Sequence, residues 1–328
     1  MVSLHRLRLV LRFVGVNLCG VLLLMNGCGR SAPVAPQAAD AQSSGTSLES
    51  GRFAEGAFFP LAVGNRWHST SVDTIRIDPI GCGPPLAVFT ITSDITRVLV
   101  GTETSFGRSY VVLEETASQS GGLTGRTASA VSTWTRYRQD RGGLYEADVD
   151  VSTPPTLDDG SNRVARSNIG PTAQGLAARL PAKQRSAFTA AWDRIKERER
   201  MIRTNLRDGS GAGRGRRRGS LDGEIVRLRY PLHSGTTWVI RDDPLFSSVV
   251  VGHEVLTVPA GRFSSYDISI DSDQIEAGEF VRLWFGRSGQ LAFRFRLVAL
   301  AIDSEGSPIG TIVDDHIEVL RDFTLVKP

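Results

Sequence analysis

The feature that most constrains this chain is the spacing of its alternating segments. Runs of apolar and polar residues with a period of two recur so closely that no crossover helix fits between them. In the first half they are Trp67 to Ile77, Leu86 to Val100, Ser109 to Glu115, Ser132 to Gln139 and Leu144 to Val149. In the second they are Glu224 to Tyr230, Thr237 to Arg241, Ser248 to Val258, Phe263 to Ile270, Glu279 to Phe285, Gln290 to Ala301 and Gly310 to Leu320. Turn residues separate them, as at Asp140-Arg141-Gly142-Gly143 and Pro259-Ala260-Gly261. Parallel strands need long connections, so the sheet must be antiparallel. The expected class is mainly β (α+β): a curved antiparallel sheet or open half-barrel with one long inserted amphipathic helix.

That helix interrupts the strand pattern. Pro181 stands where a first helical residue belongs, and Ala182 to Arg207 carries no Gly or Pro. Phe188, Trp192, Ile195, Ile202 and Leu206 fall on one stripe, and Arg and Lys occupy the other faces. The stripe is the candidate lid over the concave face of the sheet, with the basic back expected to face outward. An Arg- and Gly-rich loop follows, in which Arg214, Arg216, Arg217 and Arg218 are candidate contacts for an anionic surface. Between Arg179 and Arg218 thirteen Lys and Arg face four Asp and Glu, although the whole chain carries only +3. The insert is therefore strongly basic and the β segments are acidic. The low net charge and an export signal both make nucleic acid an unlikely partner.

The first 27 residues read as a leader. Arg6, Arg8 and Arg12 precede an apolar run from Phe13 to Met25, interrupted only by Asn17. Thirteen helical residues span about 20 Å, short of a hydrocarbon core of about 30 Å, which fits a signal peptide rather than a membrane span. The run ends Leu24-Met25-Asn26-Gly27-Cys28-Gly29 and resembles the lipobox of bacterial lipoproteins. That resemblance implies that Cys28 becomes the lipidated N-terminus and anchors the chain to a membrane. Gly29, rather than Asp, after the Cys implies the outer membrane by the sorting rule of enterobacteria. The stretch from Ser31 to Ser50 is rich in Ala, Ser, Pro and Gln and reads as a tether. The expected organisation is a signal peptide at 1-27, a lipidated Cys and flexible tether at 28-52, and a single β-rich domain at 53-328. Within that domain, two similar halves at 57-151 and 222-328 flank the basic insert at 152-221.

The similarity of the halves rests on a short repeat. Phe59-Pro60-Leu61-Ala62-Val63-Gly64-Asn65-Arg66-Trp67 and Tyr230-Pro231-Leu232-His233-Ser234-Gly235-Thr236-Thr237-Trp238 share aromatic-Pro-Leu-x-x-Gly-x-x-Trp. Pro sets up a turn, Gly permits a positive φ, and Trp opens a strand with a large surface to bury. Both tryptophans are expected in the core. The match is short and leaves an ancestral duplication open.

Catalytic motifs are not found. G-x-S-x-G, G-K-[ST] and a phosphate-binding G-x-G-x-x-G are absent, and no metal site or cofactor is expected. His68, His233, His253 and His316 are scattered, which points to surface or packing roles. Asp267, Asp271 and Asp273 could line a Ca²⁺ loop but read better as a solvated face. Asp314-Asp315-His316 could be an acid/base group, but adjacent strand residues point to opposite faces. Once Cys19 is removed and Cys28 is acylated, Cys82 is the one cysteine left and reads as a small buried hydrophobe.

From Ala57 onward the chain resembles uncharacterised bacterial cell-envelope lipoproteins with an F-P-L-x-x-G-N-x-W opening, a V-P-A-G-x-F hairpin and a W-[FY]-x-x-x-G strand turn. Here these are Phe59 to Trp67, Val258 to Phe263 and Trp284 to Gly289. Its C-terminal half is similar in layout to half-barrels of the lipoprotein-carrier (Lol) type. The resemblance implies a sheet curved around helices and assigns no chemistry. The expected function is that of a non-catalytic envelope lipoprotein binding an apolar or amphipathic ligand or an envelope protein. The alternatives are a hydrolase with a dispersed site and a structural module without a pocket. An open apolar cavity on the concave face would favour the first.

Overall fold

The computed structural model describes residues 58–105, 107–121, 131–147, 180–207, 224–242 and 244–326. Twelve strands are found there: β1 (Arg66–Pro79), β2 (Ala87–Ser105), β3 (Arg108–Gly121), β4 (Val131–Asp140), β5 (Gly143–Ala147) and β6 (Glu224–Arg229), then β7 (Thr237–Asp242), β8 (Leu245–Val258), β9 (Gly261–Ser272), β10 (Phe280–Gly286), β11 (Gly289–Ile302) and β12 (Pro308–Thr324). A turn of 3₁₀ helix, Ala182–Gln184, leads into the helix α1 (Arg185–Arg207). Each expected strand is present.

All the strands belong to one sheet, in the order β6-β5-β4-β3-β2-β1-β12-β11-β10-β9-β8-β7, and every ladder is antiparallel. The chain meanders outward through β1 to β6 and back through β7 to β12, and the first and last strands pair at the middle. The two ends of the sheet, β6 and β7, stand side by side without a shared ladder. The sheet thus curls further than a half-barrel, into a nearly closed barrel with one seam.

Alternation decides which side chains turn inward. On β11, Phe293, Phe295, Leu297, Ala299 and Ala301 are buried. On β1, Trp67, Ser69, Ser71, Ile75 and Ile77 are buried on the same face. Wholly apolar runs are not needed, because each strand has one face toward the inside and one toward water.

The two strand-entry repeats build the same device. Gly64 and Gly235 both have positive φ, at 95° and 85°. Gly64 donates its N–H to the Leu99 carbonyl (2.7 Å), and Gly235 donates to that of Val250 (2.8 Å). The Leu99 N–H returns to Asn65 (2.9 Å), and the Val250 N–H returns to Thr236 (2.9 Å). Each target adjoins a register shift, at Leu99/Gly101 in β2 and at Val250/Gly252 in β8. A second repeat therefore accompanies the first: Val98-Leu99-Val100-Gly101-Thr102-Glu103 matches Val249-Val250-Val251-Gly252-His253-Glu254 as V-x-V-G-x-E.

Trp67 and Trp238 are both buried. Trp67 stacks on Phe59 at 5.3 Å and donates its indole N–H to the Ser288 carbonyl (2.6 Å). This fixes the β10–β11 turn, where Gly289 has φ of 105° and an added Cβ would stand 3.2 Å from the indole nitrogen. Cys82 departs from expectation. It lies exposed in the β1–β2 connection, beyond the last paired residues, rather than packed in the core.

Candidate functional site

The helix lies on the inner faces of β11 and β12. Phe188, Trp192, Ile195 and Ile202 are 0–2% exposed, so the stripe docks as its periodicity requires. The side chain of Leu206 lies outside the described residues, as do Cys28, Arg214, Arg216, Arg217 and Arg218.

The basic back of α1 does not simply face outward. Arg200 is exposed, but Arg198 ion-pairs with the fully buried Glu279, and Arg203 points inward to Glu199 (2.7 Å). Lys196 is held by Glu199 (2.5 Å). Carboxylates come from the helix itself (Glu199), from the connection before β10 (Glu279) and from the inner faces of β1 and β12 (Asp73, Asp314). A helix inside a barrel is enclosed on more than one side, so its charged residues need partners there.

Those partners form one network across β1, β2, β3, β12 and α1. Asp73 lies opposite His316 in the β1–β12 ladder, and Nδ1 of His316 donates to Oδ1 of Asp73 (2.6 Å). Facing a carboxylate, Nδ1 must be the protonated nitrogen. Arg203 approaches the same nitrogen at 3.3 Å, while Phe295 lies flat on the imidazole at 4.7 Å and under the Arg203 guanidinium at 5.3 Å. Arg97 spans Glu115 (2.6 Å) and Glu318 (2.5 Å). Asp314 is wholly buried, with Lys196 3.9 Å away, too far for a hydrogen bond.

Electrostatics divides these acids. Burial raises Asp314, against the pull of Lys196, to about 8, so it is mostly protonated at neutral pH. Burial also opposes ionisation of Glu199, but Arg203 and Lys196 outweigh it and hold that carboxyl at about 2. Asp73 is likewise lowered despite burial, through His316 and Arg203.

Beside this network is a cavity of about 240 Å³, equal to roughly eight liquid-water volumes. One wall is mainly apolar, with Ile240 of β7, Ile268 and Ile270 of β9, Leu283 and Phe285 of β10 and Phe293 of β11, and it also carries Ser248 of β8 and Gln290 of β11. The facing wall is polar, with Arg97, Glu115, Thr133, Thr135 and Tyr137 from β2 to β4. Arg203 of α1 and Arg227 of β6 complete it, Arg227 being paired with Glu146 (2.6 Å). An apolar cavity with a few converging polar groups is the usual form of a small-molecule site.

Of the surface or packing roles expected for the histidines, His316 takes packing, 1% exposed and flat on Phe295. The structure places Asp314 and His316 together on the inner face, as residues two apart on a strand must be. Neither reaches the cavity wall. Of the acidic group around Asp267, Asp271 and Asp273 are exposed as expected, but Asp267 is buried beside Arg282 (3.1 Å), and burial raises its pKa. Among the described residues no three acidic, His or Cys side chains converge as a metal site would require.

No protein-family model matches this chain, and no curated protein is similar to it in sequence. Solved structures give similarities of shape. One is a protein described as exported, with a YmcC-like fold, from Bacteroides fragilis: 11% identity, TM-score 0.28, covering 82% of this chain and all of that one. Another, described as a lipoprotein, is from Parabacteroides distasonis: 11% identity, TM-score 0.27, covering 82% and 99% of the two chains. A third is DynF of the dynemicin biosynthesis pathway of Micromonospora chersina, at 8% identity and TM-score 0.20, covering 82% and 84%.

Proposed function

We propose that this protein is a lipid-anchored envelope protein of the bacterial outer membrane that holds an amphipathic ligand inside its barrel, without acting on it chemically. The observation that carries the reading is the cavity, mainly apolar on the β7–β11 side and polar on the β2–β4 side. A structural module with a filled interior would not leave such a space. Catalysis by His316 is disfavoured because the ring is 1% exposed and off the cavity wall, with no nucleophile bonded to it. The anchor is supported by the Gly27-Cys28 lipobox and the polar tether behind it.

The test is a fluorescence titration with the apolar dye N-phenyl-1-naphthylamine. The wild type should bind it saturably with one site. Leu283→Trp, which fills the cavity from the apolar wall, should abolish binding while keeping the wild-type circular dichroism. Equal binding by both would place the dye elsewhere and remove the support for the cavity reading.

A further inference from the structure

Three guanidinium groups on the cavity wall point, at first sight, to an anionic ligand. The charge of each is already matched by a buried carboxylate, although Nη2 of Arg227 makes no hydrogen bond. Arg97 donates to Glu115 and to both oxygens of Glu318 (2.5 and 3.2 Å), Arg203 to Glu199, and Arg227 to Glu146. The four carboxylates are buried, with side chains at most 14% exposed. Asp73 adds a fifth negative charge next to Arg203 through His316. An anion entering here competes with a buried carboxylate for each guanidinium, and drawing one off leaves that carboxylate uncompensated in a low-dielectric interior. A cation loses its hydration on entering and finds these carboxylates already bonded, Glu115 and Glu318 to Arg97, Glu199 to Arg203, Glu146 to Arg227 and Asp73 to His316.

The apolar side shows what the cavity lacks. Ser248 of β8 is 2% exposed and lies on the wall, and its hydroxyl has no hydrogen-bond partner. Its cross-strand neighbour Trp238 is also buried with an indole N–H that has no partner, but it lies beside Ser248 and off the cavity lining. An indole can only donate, and a hydroxyl can donate or accept. A buried hydroxyl left unmatched is costly, and on the cavity wall an uncharged ligand oxygen answers that of Ser248.

We infer that the cavity selects an uncharged amphipath, an apolar chain ending in hydroxyl or ester oxygens, over an anionic or cationic one of equal chain length. This rests on the reading of the cavity as a ligand site. The volume suits a short chain. The experiment is displacement of N-phenyl-1-naphthylamine by mono-octanoylglycerol, octanoate and octylammonium at neutral pH, all below their critical micelle concentrations. The glyceride should displace the dye at a concentration about tenfold or more lower than either ion. Ser248→Ala should weaken the glyceride about fivefold relative to the dye bound by the same variant. Dye binding followed by equal or better displacement by either ion, or by no displacement at all, overturns the selectivity and leaves the cavity reading standing. Failure of the dye to bind overturns both.

Discussion

Asp73 and His316 are 243 residues apart in sequence and 2.6 Å apart in the barrel, facing each other where the first strand meets the last. The pair ties the two halves of the meander together at the same point where Arg203 brings in the helix. Breaking a buried pair leaves one charged or polar partner without its match, and typically costs about 3–5 kcal/mol. His316→Ala should lower the unfolding free energy by that order, read from urea titration with an unchanged slope. A loss below about 1 kcal/mol would show that the pair is not a structural tie.

Asp314 gives the protein an unusual dependence on pH. Folded, it keeps its proton to about pH 8, because burial disfavours the charge. Unfolded, it loses it near pH ~4. Between those values the native state binds more protons than the unfolded one, so this group's contribution to stability falls as pH rises. Glu199 and Asp73 act oppositely: their folded pKa values are lowered, so they stabilise above the unfolded value and lose that effect as pH falls through it toward about 2. Asp314→Asn should remove only the first slope. The urea midpoint of the variant relative to wild type should rise steadily from about pH 5 to about pH 8. A difference that stays constant with pH contradicts the assignment.

Docking of α1 predicts a specific failure. Trp192 is 2% exposed at the middle of the stripe. Trp192→Asp should release the helix, exposing apolar barrel lining to hydrophobic dyes and speeding proteolysis within Arg185–Arg207. Unchanged protease resistance would mean that the helix is not held by this face.

Much of the fold was legible because its signals are local. Period-two runs and Gly- or Pro-marked turns located every strand, and the Phe188–Ile202 spacing located the helix and its buried face. What stayed hidden was set by pairing between distant strands. Asp73 and His316 carry no shared motif, and only the closing of β1 on β12 brings them together. The charges of α1 looked solvent-facing because a helical wheel shows one apolar face and cannot show enclosure by a barrel. Ser248 and Trp238 are ordinary strand residues until their register is known. One signal was within reach: the V-x-V-G-x-E match at Val98 and Val249 marks the register shift in both halves.

The anchor can be tested separately from the barrel. A palmitate analogue fed to the cells should label the wild type and leave Cys28→Ala unlabelled. Equal labelling of the two would contradict acylation at that residue.

The central claim, that the barrel carries a small amphipathic molecule, is tested most directly by native mass spectrometry of the protein extracted from its own envelope. The account predicts a bound adduct of low mass, uncharged when released and identified on its own, on wild-type protein. It predicts the loss of that adduct from folded Leu283→Trp. Protein that arrives without any adduct, or an adduct retained equally by the filled-cavity variant, would contradict it.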